Sequence, residues 1–120
     1  MHKPILAIAA LTLGASSAAA ESASVPMFAR AQLSDDVSLV TYGIMRDTRC
    51  NDPKLCFQDE RLVVGVVVTV DGQRRDMMLE MGVPVPVADG WLELTGSPTQ
   101  PRLSGATPLP EYQLDYSFYR

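Results

Sequence analysis

Apolar and polar positions alternate along most of this chain, and the period is close to two. "VSLVTYGIM" (Val37 to Met45) is rich in β-branched residues and predicts a strand. "RLVVGVVVTV" (Arg61 to Val70) is the strongest strand signal; its continuous valine run predicts burial on both faces, or nearly so. Gly65 in its middle predicts a bulge or a close backbone approach. Asp71 and Gly72 then form a favoured pair for a type I′ turn, and "QRRDMMLEM" (Gln73 to Met81) returns as an antiparallel partner. Met77, Leu79 and Met81 fall on one face of it, Met78 and Glu80 on the other.

A second unit follows in "GVPVPVADGWLEL" (Gly82 to Leu94), with a turn expected at Asp89 and Gly90. Pro84 and Pro86 on one face fit only an edge strand or an extended exit from the sheet. "EYQLDYSFYR" (Glu111 to Arg120) closes the chain with Tyr112, Leu114, Tyr116 and Phe118 facing one way. Those aromatics, with Trp91, are expected in the core, and Tyr42 and Tyr119 at the surface. Glu21 to Arg30 reads as a flexible start or a short strand. Met27 to Leu33 is the only weak helix candidate. "TGSPTQPRLSGATPLP" (Thr95 to Pro110), with four prolines, is a long loop. The expected fold is all-β: an antiparallel sandwich or small open barrel of about six to seven strands with one disulfide.

The first twenty residues change the picture of where this domain works. Lys3, the apolar run Pro4 to Ala15 and the small residues ending in Ala18 and Ala20 read as a secretory signal peptide cut near Ala20. Residues 21–120 then form a single β-domain, periplasmic or secreted, with no membrane span. Lys3 is the only charge removed, which leaves nine Lys and Arg against fourteen Asp and Glu and a net charge of −5. Such a surface argues for solubility and against nucleic acid as a partner.

The chemistry centres on "RDTRCNDPKLCFQDERLVVG" (Arg46 to Gly65). It carries the only two cysteines, Cys50 and Cys56. In an exported chain they are expected to pair, closing a seven-residue ring that contributes about 2–2.5 kcal/mol. The C-x-x-C spacing of redox sites is absent, and His2 is the only histidine, so zinc is disfavoured. Loss of His2 with the signal also removes Ser-His-Asp and Cys-His catalysis, and no nucleophile motif is present. An enzyme is therefore not expected, nor a cofactor.

The acidic residues Asp47, Asn51, Asp52, Asp59 and Glu60 lack EF-hand spacing, and the methionines read as core filling rather than Cu(I) ligands. Asp47 and Arg49 read as loop-shaping residues, through Asp hydrogen bonds to backbone N–H groups and an Arg fork on a carboxylate.

The order strand, "DTRC" (Asp47 to Cys50), Cys56 with an aromatic neighbour, then a Val-rich strand resembles a family of small exported bacterial proteins. These are mostly uncharacterised hypothetical proteins or lipoproteins marked by D-S-R-C-P and C-x-W-x-G. Thr48, Asn51, Phe57 and Asp59 stand for the family's Ser, Pro, Trp and Gly, with the aromatic one residue early. "WLELTGSPTQP" (Trp91 to Pro101) and "YQLDYSF" (Tyr112 to Phe118) occupy the places of its later motifs. The resemblance covers Val37 to Tyr119. It implies an exported all-β domain with a disulfide and brings no activity with it.

The expected function is a non-enzymatic module that binds an unknown protein or an envelope component. Asp52, Pro53 and Lys54 of the cysteine loop, with Pro101 and Arg102 of the Pro-rich loop, are its candidate contact residues. The alternatives are an inhibitor of a secreted protease or lysozyme, and a metal-handling (Cu or Ca) protein.

Overall fold

The computed structural model describes residues 21–50, 56–102 and 106–120. Strands β1 (Glu21–Pro26), β2 (Arg30–Gln32), β3 (Val37–Asp47), β4 (Leu62–Val70), β5 (Gln73–Glu80), β6 (Val85–Val87), β7 (Gly90–Gly96) and β8 (Gln113–Tyr119) follow in chain order. They form two antiparallel four-stranded sheets, ordered β1-β8-β7-β6 and β2-β3-β4-β5. The fold is an open all-β sandwich with one disulfide, as the alternation predicts. The strand count is eight rather than six or seven because the three-residue β2 is too short for a periodicity argument.

The weak helix candidate at Met27 to Leu33 is overturned. Phe28 takes a left-handed φ of 67°, and Arg30 to Gln32 pair with β3 instead. A two-turn helix offers few internal bonds, whereas β3 supplies a ladder at once.

The core lies between the sheets. Val37, Leu39, Val64, Val66, Val68 and Leu79 meet Leu92, Leu94, Leu114, Tyr116 and Phe118, all essentially inaccessible. Thr41 is the polar exception. Its hydroxyl shares a 2.6 Å hydrogen bond with the Tyr116 hydroxyl, so each buried polar group satisfies the other across the two sheets.

The near-complete burial expected of β4 is observed, but its two faces differ: Val63 and Val67 point outward and are half-buried. Register decides this, because Val64, Val66 and Val68 take the inward parity. Gly65 lies on the outer face under Tyr42 and Met45; a Cβ there would sit 2.7 Å from the Tyr42 ring. Opposite it, β3 carries a register shift between Thr41 and Gly43.

Trp91 is also corrected. It is 46% exposed, because Leu92 and Leu94 hold the inward positions of β7. Tyr112, Tyr116 and Phe118 do lie in the core.

Asp71 and Gly72 both adopt left-handed conformations (φ 49° and 80°), as a type I′ turn between β4 and β5 requires. The second turn is displaced by one residue from expectation. Val87 pairs with Gly90, so Ala88 and Asp89 are its centre. Gly90 is constrained by a neighbour instead, since a Cβ there would approach the Tyr119 carbonyl oxygen to 2.7 Å. Ala88 is left with a φ of 53°, a region costly for a residue with a Cβ. Ala88→Gly is expected to stabilise the fold by about 0.5–1 kcal/mol, after the entropic cost of glycine. A higher urea midpoint would register this; a lower one would show that Ala88 is unstrained.

Candidate functional site

The loops at the end of the sandwich where β3 finishes converge on one charged cluster. Asp47 is the last residue of β3, and Arg49 follows two residues later. The Arg49 guanidinium forks onto the Asp47 carboxylate, with Nε to Oδ1 and Nη2 to Oδ2 both at 2.9 Å. The Arg49 backbone N–H also donates to Oδ1 at 3.3 Å. From the far end of the chain, the Tyr112 hydroxyl donates to Oδ2 at 2.6 Å. Both ionic side chains are nearly inaccessible, 9% exposed for Arg49 and 8% for Asp47.

Arg49 does more than neutralise Asp47. Its Nη1 donates to the Ser97 carbonyl at 3.1 Å and its Nη2 to the Thr99 carbonyl at 2.8 Å. One guanidinium thereby joins the cysteine loop to the Pro-rich loop. Its planar fork suits this bridging role as an ammonium would not. The Pro-rich loop is anchored in turn at the start of β8. The Ser97 hydroxyl donates to the Gln113 carbonyl and the Thr99 hydroxyl to the Glu111 carbonyl, while the Gln113 N–H donates to Thr99 Oγ1.

The cysteine loop has its own bracing. Cys50 and Cys56 form the disulfide, with Cα atoms 5.5 Å apart. The Thr48 N–H donates to the Arg61 carbonyl at 2.8 Å, the Thr48 hydroxyl to the Asp59 carbonyl at 2.6 Å, and the Cys50 N–H to Glu60 Oε1 at 2.9 Å. Phe57, directly after Cys56, is 91% exposed on this braced loop.

Between the two loops lies a cleft of about 470 Å³, lined in part by Ile44, Arg49, Gln58, Arg102, Leu109 and Tyr112. Pro101 lines it as well. Arg102 forms an exposed 2.6 Å ion pair with Glu111, a contact of small energetic weight. Of the candidate contact residues, Pro101 and Arg102 therefore join Asp47 and Arg49 at one cleft. Asp52, Pro53 and Lys54 lie outside the described residues.

The electrostatics follow from burial and pairing. Burial pushes the Asp47 carboxyl up, but the bonds from Arg49 and Tyr112 and the Arg49 charge outweigh it and hold it below its ordinary value. The bond to Asp47 raises Arg49 further above its already high value. Burial, then the Asp47 carboxylate, pushes the Tyr112 phenol up to about 12. Asp47 accepts four hydrogen bonds and stays ionised near neutral pH, which holds the loops together.

Tyr112 is the residue that alternation misses: its ring belongs to the core, and nothing local ties its hydroxyl to a carboxylate 65 positions earlier. Phe57 enters the sequence pattern only as the aromatic of the family motif. Among the described residues, no three His, Cys, Asp or Glu side chains group as a metal site would need. Likewise, none of the described helices is long and apolar enough to cross a membrane. Comparison with family models, with curated proteins and with solved structures found no match to this chain.

Proposed function

We propose that this chain is an exported, non-enzymatic β-domain that binds a protein or envelope component through the loop end of its sandwich. The observation that carries the reading is Phe57, a large apolar side chain 91% exposed and directly adjacent to a disulfide. Aromatic residues of this kind dominate binding energies when a partner buries them. Bracing lowers the entropy lost on association, because the disulfide and the Thr48 and Cys50 hydrogen bonds already hold the residues on either side of Phe57. The neighbouring cleft adds Arg102 for polar contact and Leu109 for apolar contact.

The test is quantitative capture from an envelope extract, followed by affinity measurement on the recovered partner. Phe57→Ser is expected to weaken binding by about 30-fold or more, since a buried aromatic anchor contributes at least about 2 kcal/mol. An unchanged affinity in Phe57→Ser, with its melting temperature intact, removes the loop end from the interface.

The same observation favours a second reading, an inhibitor that inserts the disulfide loop into the cleft of a secreted hydrolase. Incubation with secreted proteases and lysozymes distinguishes the two. Absence of inhibition at micromolar concentration ends the inhibitor reading and leaves the binding module.

A further inference from the structure

The four sheet edges of this sandwich are not alike. β2 and β6 have three residues each, and β6 holds Pro86 with Pro84 just before it. β1 ends in Pro26. Short length and proline are common ways of preventing strand pairing at an edge. β5 has neither. It is eight residues long, free of proline, and pairs with β4 in unbroken register from Gln73 to Glu80. Its outer side has no strand partner among the described residues.

The type I′ hairpin fixes which backbone groups face that edge. In a two-residue hairpin the flanking pair, Val70 and Gln73, exchanges both ladder bonds. By alternation, Gln73, Arg75, Met77 and Leu79 bond to β4. Arg74, Asp76, Met78 and Glu80 turn their N–H groups to the free edge. Their side chains share the outer face, where Arg74, Asp76 and Met78 are exposed. The Glu80 carbonyl is already taken by the Val83 N–H at 3.0 Å.

We propose that β5 is a self-pairing edge, on which two copies of this chain join antiparallel into one continuous eight-stranded sheet. Charge selects the register. A two-fold axis at Met77 sets Arg74 of each copy against Glu80 of the other, and Asp76 against Met78. Registers centred on Arg74, Arg75 or Asp76 set a like charge against itself, and one centred on Met78 sets Asp76 against Glu80. The Met77 register therefore pairs opposite charges and opposes no like ones. It also brings the edge-facing N–H groups opposite edge-facing carbonyls, for about six ladder bonds.

Arg74 and Arg75 have no ion-pair partner among the described residues. Glu80 is held by Arg61 at 2.6 Å and Asp76 by the Tyr42 hydroxyl at 2.6 Å. In the dimer Glu80 sits between two guanidinium groups, which a carboxylate with two oxygens accommodates. This edge is separate from the loop end proposed to bind a partner, so the two proposals stand or fall independently.

Sedimentation equilibrium on the purified protein tests the idea, with dimer expected to form reversibly between about 10 and 100 μM, the range of small interfaces. Arg74→Glu should weaken the dimer about tenfold or more, because two-fold symmetry repeats the loss at two places. Met78→Pro removes an edge-facing N–H without touching a β4 bond, and should abolish dimer. If that variant fails to fold, a cysteine pair still decides. Met77→Cys, opposite its own copy, should form an intermolecular disulfide at dimer-forming concentration, and Arg75→Cys, opposite Leu79, should not. Monomer up to about 1 mM, a dimer indifferent to Arg74→Glu, or equal cross-linking by the two cysteines overturns the proposal.

Discussion

Arg49→Ala is expected to lower the unfolding free energy by about 3–5 kcal/mol, the usual cost of removing one partner from a buried ion pair. That is a large part of the roughly 5–15 kcal/mol available to a domain of this size. Three separate losses combine in it. Asp47 keeps its charge in a site 8% exposed with only the Tyr112 hydroxyl and a backbone N–H left to it. The Ser97 and Thr99 carbonyls lose their donor. The two loops lose the group that spans them.

Arg49→Lys should recover only part of the loss, because one ammonium cannot serve two carboxylate oxygens and two carbonyls in a plane. Urea unfolding of the three proteins measures this. A loss below about 1 kcal/mol for Arg49→Ala, the range of exposed pairs, would mean that water already reaches the cluster.

The acid limb carries the same signature. The folded Asp47 carboxyl titrates below its ordinary 3.8, so its stabilisation is fully present above that pH. It is lost as pH falls through the lower folded value. Asp47→Asn should be less stable near neutrality and show a flatter acid limb.

Alkaline pH is expected to have an effect of comparable size. Tyr112 and Tyr116 are both pushed from 10.0 to about 12, in each case first by burial, with the Asp47 carboxylate adding to the shift at Tyr112. A raised folded value means that the unfolded chain releases its proton first. The stabilisation from each is therefore intact below pH 10 and lost as pH rises through about 12. Each tyrosine steepens the limb by about 1.4 kcal/mol per pH unit, for a combined loss of several kcal/mol across two units. Tyr112→Phe should remove roughly half of that slope. Urea midpoints followed from pH 8 to 12, with tyrosinate absorbance alongside, would reveal it. A flat limb in the parent protein would show that both phenols ionise in the folded state at ordinary values.

Much of the fold was legible because β-strands announce themselves by parity. The inward positions of β8 and the Asp71–Gly72 hairpin follow from local spacing alone. The errors arise where a tertiary contact outranks a local signal. Asp89–Gly90 looks like a turn centre, yet Gly90 is needed for the close approach of the Tyr119 carbonyl, which moves the turn to Ala88 and Asp89. Trp91 looks like core, but Leu92 and Leu94 already hold that face. In β4 the run of valines hides which parity faces inward, because a run of one residue type conceals its own alternation.

The candidate site was visible only in part. Cys50 and Cys56, with Asp47 and Arg49, stand out from composition and spacing. The Ser97 and Thr99 carbonyls cannot, since a backbone acceptor leaves no mark in a sequence. Nor can the Tyr112 hydroxyl, because its distance from Asp47 is bridged only by the packed sandwich.

The position of β8 has a consequence in time. It lies between β1 and β7, so the first strand of the described chain has only the last as its partner. The opposite sheet is built from near neighbours in sequence and can assemble from a partial chain. The sheet holding β8 cannot: β1 must wait, unpaired, until Gln113 to Tyr119 are present. Contacts this distant in sequence slow folding, because a long loop must close before any of them forms. That sheet therefore closes late, after the β2-β3-β4-β5 sheet has every strand it needs.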